Sequence, residues 1–124
     1  MIKLRYQDKL LFCSICIKID NQVFNLDNVL IDTGSATTLI NADYITLDGT
    51  EKIRNVQGVG GYERILKKRI NTIEINDNTI NDTYLSIGDM DYGIDIDLLL
   101  GLDILTALRA NINLKTMELS ININ

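Results

Sequence analysis

Residues 29–40 read VLIDTGSATTLI. An apolar run enters a turn of Asp32, Thr33, Gly34 and Ser35 and leaves as a second apolar run. A charged residue at the end of a segment destined for burial costs free energy unless it has a purpose. The glycine two residues after Asp32 allows a sharp turn in which backbone N–H groups face the carboxylate, and Thr33 and Ser35 add hydroxyl donors that can hold it in one orientation. A carboxylate kept this way is both ordered and exposed. Taken alone, Asp-Thr-Gly is three common turn residues, so the rest of the chain decides between a plain turn and a site.

Period-two patterns dominate on both sides of this stretch. Residues 2–6 and 10–19 read as strands, and Asp20-Asn21 as a tight turn into a returning strand, 22–31, that delivers Asp32. Residues 38–40 are again extended, and 41–44 carry the capping chemistry of a short helical turn. Two further strands, 53–57 and 62–76, are joined by Gly58-Val59-Gly60-Gly61, which reads as a hairpin with a mobile glycine tip. Asp77-Asn78 makes the next turn, 79–87 a strand, 88–93 a loop, and 94–100 an apolar strand that reaches Gly101. Asp103 reads as the N-cap of the one convincing helix, 104–110, with Ile104, Leu105 and Leu108 on one face. Residues 113–123 close the chain as one or two short strands. The expected fold is all-β with one short helix in its C-terminal half. VLIDTG and LLLGLD form a faint internal repeat, each an apolar strand ending in a glycine turn.

The 124 residues suit one domain, 1–124, with a single core. A hydrophobic content of 46% with no proline fits a compact strand-rich chain. A formal charge of -5 gives little attraction to phosphate backbones or anionic lipid, so neither nucleic acid nor membrane is an expected partner. The run Lys67-Lys68-Arg69 reads as a solvated hairpin edge. LLFCSICI, which follows Lys3, Arg5 and Lys9, is too short to span a bilayer and has no small-residue cleavage pattern, so it reads as a buried strand in a cytoplasmic protein. Cys13 and Cys16 point to opposite faces of that strand and read as two reduced core cysteines. Asp89, Asp91, Gly93, Asp95 and Asp97 resemble a calcium loop only in passing, because Leu100 stands where the last ligand is required. No metal and no cofactor are expected.

The chain contains no histidine. Nucleophile-histidine hydrolases are excluded, and carboxylates must do any acid-base work. Here the sequence resembles the retropepsin-like aspartic proteases, which share the retroviral-protease fold, in their bacterial or cellular form. VLIDTGSATTLI is similar to their catalytic loop, VQGVGGY to their flap tip, and LLLGLDIL to the strand that leads into their single helix. The order and spacing match from about residue 10 onward. The resemblance implies a closed β-barrel with a flap hairpin, assembled as a two-fold homodimer. Peptide hydrolysis of this kind needs two carboxylates sharing a proton, and the chain has one such loop, so the second Asp32 is expected from a second copy.

Residue by residue, the resemblance makes Asp32 the catalytic aspartate and Thr33 the hydroxyl that crosses the dimer axis. Gly34 would offer its carbonyl to the substrate backbone, and Ser35 its hydroxyl to the outer carboxylate oxygen. Gly58, Val59, Gly60, Gly61 and Tyr62 would form the flap over an extended peptide or protein substrate, and Leu99 a wall of the side-chain pockets. Ala36 and Leu102 stand where retroviral enzymes carry an acidic residue and an arginine that brace the dimer. Both partners are replaced together, so no orphan charge results. The competing expectation is a retropepsin-like module that dimerises or binds peptide without cleaving it.

Overall fold

Three chain reversals are each made by two residues with positive φ: Asp8-Lys9 (53° and 63°), Asp20-Asn21 (44° and 74°) and Asn76-Asp77 (47° and 70°). Two-residue turns of this hand match the right-handed twist of the strands they join, and Asn and Asp adopt the left-handed region more readily than other side chains. The computed structural model describes residues 1–45, 52–58, 61–88 and 93–122, with 52–58 and 61–65 described as backbone only. The described residues form eleven strands: β1 (Ile2–Lys3), β2 (Arg5–Gln7), β3 (Leu10–Ile19), β4 (Gln22–Ile31), β5 (Leu39–Asn41), β6 (Lys52–Gly58), β7 (Gly61–Ile75), β8 (Asn78–Gly88), β9 (Leu98–Leu100), β10 (Asn111–Asn113) and β11 (Glu118–Ser120). The helix α1 spans Leu102–Ala107, and a 3-10 turn spans Ala42–Tyr44 with the Asn41 side chain as its cap.

The larger sheet runs β2-β3-β4-β9-β5-β8-β7-β6, and an added pairing of β3 with β7, Ile17 opposite Ile75, closes a ring. The result is a closed barrel of six strands, with β2 and β6 attached outside the ring. A second sheet orders the terminal strands as β1-β11-β10. Ile15, Ile17, Ile19, Leu26, Val29, Ile31, Ile40, Ile70, Ile73, Leu85, Leu98 and Leu100 fill the barrel core, which α1 covers with Ile104 and Leu105. A smaller cluster of Phe12, Leu30, Ile96 and Leu99 lies apart from it. β4 and β9 therefore contribute to both clusters, which is why Val29–Ile31 and Leu98–Leu100 are continuously apolar rather than alternating.

The two halves of the faint repeat lie side by side. β4 and β9 pair in parallel, Val29 with Leu98, Leu30 with Leu99 and Ile31 with Leu100. On the far side of β9, β5 pairs antiparallel through Leu39 and Leu99. The chain leaving β4 at Asp32 thus passes over the end of β9 before it resumes as β5.

Several sequence expectations shift. The β7–β8 turn is Asn76-Asp77, one residue earlier than expected, because Ile75 pairs directly with Asn78. The strand expected over 94–100 is reduced to Leu98–Leu100. The helix starts at Leu102 and ends at Ala107, so Gly101 is its cap and Asp103 sits in its first turn, with its carboxylate turned to Thr38, just before β5. Lys67-Lys68-Arg69 lies within β7: all three pair with β8, but only Lys67 also pairs with β6, and Arg69 bonds Asp82 at 2.9 Å on the surface. Cys13 is buried as expected, but Cys16 is exposed, since consecutive odd spacings alternate faces on β3.

Candidate active site around Asp32

The end of β9 organises the Asp32 loop. Asp32 donates its N–H to the Leu100 carbonyl at 3.0 Å, extending the β4–β9 ladder by one rung. Ser35 then donates its N–H back to the Asp32 carbonyl at 3.3 Å, and Leu102 donates to the Ser35 carbonyl at 2.8 Å. The loop is therefore held from below by the same short segment, Leu100 to Leu102, that turns β9 into α1.

Asp32 is half-buried. Its Oδ1 accepts the Gly34 N–H at 2.9 Å, and its other oxygen has no partner among the described residues. A β-carbon on Gly34 would lie 3.2 Å from that Oδ1 and crowd the carboxylate, so glycine here serves close approach and not a positive φ. Thr33 and Gly34 are exposed, and the Thr33 hydroxyl makes no hydrogen bond among the described residues. Ser35 differs from expectation. Its single hydroxyl proton goes to the Thr37 carbonyl at 2.8 Å, bracing the loop internally and leaving nothing to donate to Asp32.

Sequence reasoning missed the residues that anchor the loop's far end. Thr38 is fully buried. Its hydroxyl donates to Asp103 Oδ1 at 2.7 Å and accepts the Gly101 N–H at 3.0 Å, while its own N–H donates to Asp103 Oδ2 at 3.0 Å. Asp103 Oδ1 also accepts the Ile104 N–H at 2.8 Å, at the start of α1, where negative charge is favoured. The available signal was a threonine within an apolar strand: a hydroxyl placed there must find a partner.

A second carboxylate, Asp97, steadies the neighbouring segment. Its Oδ2 accepts the Asn28 N–H at 3.0 Å and its Oδ1 the Tyr44 hydroxyl at 2.8 Å. Burial, and then the bond to Asp97, push the Tyr44 phenol up to about 12. Asp97 is thereby committed to structure. Asp89 and Asp91 lie outside the described residues, and among the described residues no group of three or more His, Cys, Asp or Glu side chains could hold a metal ion.

The remaining site candidates are spread along the chain. Leu99, 8% exposed, packs with Phe12, Leu30 and Ile96 and sits beside Leu30 on β4, one rung before the strand end that carries Asp32. Val59 and Gly60 lie outside the described residues, as do the side chains of Gln57 and Tyr62. The backbones of Gly58 and Gly61 pair directly, as do those of Gln57 and Tyr62. β6 and β7 therefore form a hairpin whose described pairing reaches the glycines. Ala36 and Leu102 are both exposed, Leu102 by 40%, beside the Asp32 loop.

No curated protein matches the chain. A family model described as aspartyl protease matches residues 16–104, from within β3 to the first turn of α1, and so takes in the Asp32 loop, the β6–β7 hairpin and β9. The chain belongs to the aspartyl protease family, in its retropepsin-like form.

Proposed function

We propose that the protein is a homodimeric aspartic endopeptidase in which the Asp32 carboxylates of two copies form the catalytic dyad on a two-fold axis. The observation that carries this reading is the state of Asp32: ordered by one backbone N–H, with its second oxygen unpartnered among the described residues, on the only Asp-Thr-Gly loop in the chain. Two such carboxylates brought together cannot both ionise easily, so they share a proton. The ionised one takes a proton from water as the water oxygen bonds to the peptide carbonyl carbon, and the protonated one gives its proton to the carbonyl oxygen. The tetrahedral diol then collapses, a proton passes to the amide nitrogen, and the C–N bond breaks.

The loop's outward groups fit this role. The Thr33 hydroxyl, unpartnered among the described residues, would meet the second copy, and the exposed apolar side chains of Ala36 and Leu102 would replace a charged brace with contact area. The hairpin of β6 and β7 would close over an extended peptide by main-chain pairing, with Gly58, Val59, Gly60, Gly61 and Tyr62 at its tip. Leu99 and its cluster would border the side-chain pockets. Incubation with a mixed peptide library, analysed by mass spectrometry, tests the proposal. Cleavage by wild type that disappears in Asp32→Asn, with the sedimentation behaviour unchanged, is the expected result. Cleavage at the wild-type rate by Asp32→Asn would end it.

A further inference from the structure

We infer that Thr38 and Asp103 act together as positioning residues that set the Asp32 carboxylate, so that their polar groups govern turnover and not merely stability. This inference rests on the protease reading above. Neither residue reaches the outward face of the loop: Thr38 is fully buried and Asp103 half-buried at the start of α1. Their effect must travel through the backbone.

The path is short. The Thr38 hydroxyl joins the far end of the loop to Gly101 on one side and to Asp103 on the other. Gly101 directly follows Leu100, whose carbonyl holds the Asp32 N–H, and precedes Leu102, whose N–H holds the Ser35 carbonyl. One hydroxyl and one carboxylate thereby fix the segment that grips the loop at Asp32 and again at Ser35. Asp103 accepts three hydrogen bonds, two from the backbone N–H groups of Thr38 and Ile104 and one from the Thr38 hydroxyl. A side-chain amide cannot reproduce this set, because its nitrogen would face an N–H wherever its oxygen did not. The carboxylate itself is required, and the loop loses its register with β9 without it.

Three variants and two readouts test this. Thr38→Val keeps the shape and removes the hydroxyl, Thr38→Ser keeps the hydroxyl and removes a methyl, and Asp103→Asn removes one acceptor. The readouts are kcat and KM on a cleaved peptide, and the amide resonance of Gly34, whose N–H reports the Asp32 contact. Thr38→Val and Asp103→Asn should each lower kcat about tenfold or more with KM nearly unchanged, since small misplacements of a reacting group are costly. Both should also shift the Gly34 amide, and Thr38→Ser should restore kcat and the resonance. An unshifted Gly34 amide with unchanged kcat in Asp103→Asn would overturn the inference, as would a loss in Thr38→Ser equal to that in Thr38→Val. If Thr38→Val does not fold, Asp103→Asn and Thr38→Ser still decide it. If wild type cleaves nothing, the protease reading fails, and the Gly34 resonance alone decides whether the relay exists.

Discussion

A β-carbon on Gly101 would lie 2.5 Å from the carbonyl oxygen of Thr37 and 3.0 Å from that of Ser35. These are backbone atoms of the loop that crosses the end of β9, and they cannot rotate away as a side chain could. Gly101→Ala must push the loop off β9 and disturb the bonds from Leu100 to Asp32 and from Leu102 to Ser35. The expected loss is about 1–3 kcal/mol of folding stability, in the range of overpacked cores, together with loss of cleavage. Urea denaturation paired with a peptide assay measures both. Gly34→Ala, 3.2 Å from a side-chain oxygen, should cost less stability while still impairing the carboxylate.

The proposed dimer should be visible in the concentration dependence of activity. Specific activity is expected to fall on dilution once the protein drops below its dimer dissociation constant. Excess Asp32→Asn chains should depress wild-type activity further, because each mixed dimer carries one functional carboxylate. Thr33→Val should raise the concentration required for activity by removing the exposed hydroxyl proposed to meet the second copy. A plot of activity per chain against total protein, flat and insensitive to the inactive partner, would show that one chain carries the whole site.

The two cysteines should separate cleanly by reactivity. Cys16 is exposed, whereas Cys13 is 1% exposed, and burial pushes its thiol from 9.0 up to about 12. A thiol reagent at neutral pH should label one site quickly, identifiable as Cys16 by peptide mapping, and the second only on unfolding. The same burial makes the fold sensitive to alkali. Above about pH 9 the unfolded chain releases the Cys13 proton while the folded chain keeps it, so stability should decline as pH rises from there toward 12. Thermal unfolding across that window should show a shallower decline in Cys13→Ala, whose remaining alkaline sensitivity includes that of Tyr44.

Tyr44→Phe should cost about 1 kcal/mol, the usual net worth of one hydrogen bond, because it removes the 2.8 Å bond to Asp97 Oδ1. The edge-on contact of its ring with Phe24, at 5.5 Å between centroids, survives the change. A loss several times larger would mean that Asp97 and the Asn28 contact collapse together. Chemical denaturation of the single and Asp97→Asn variants separates these outcomes.

Much of this architecture was legible because local chemistry and tertiary placement agree. Asp20-Asn21 marks its hairpin with the residues that tolerate positive φ, and Val29–Ile31 and Leu98–Leu100 announce strands buried on both faces. The contact between the Asp32 carboxylate and the Gly34 N–H could be expected from the glycine two residues after the aspartate. What escaped reading depends on partners remote in sequence. Asp103 looked like a helix cap because Asp before an apolar run usually is one, yet two of its three bonds come from Thr38 across the fold. Ser35 reads as a partner of the Asp32 carboxylate, but the Thr37 carbonyl takes its proton. The start of β9 was overextended because Asp97, at the near end of an apolar run, is bound to Asn28 and Tyr44.

Asp97 and its Asn28 partner are 69 residues apart in the chain, and β9 lies between the two strands that flank the Asp32 loop. During synthesis, a ribosome that has released the whole Asp-Thr-Gly segment has still not made the support on which that segment rests. A nascent chain cut short before β9 would carry every atom of the loop and none of its seat. Contacts of such long sequence separation form late and slow folding. Under the proposed peptide hydrolysis, that delay would act as a safeguard: the carboxylate gains its seat only after β9 has been made.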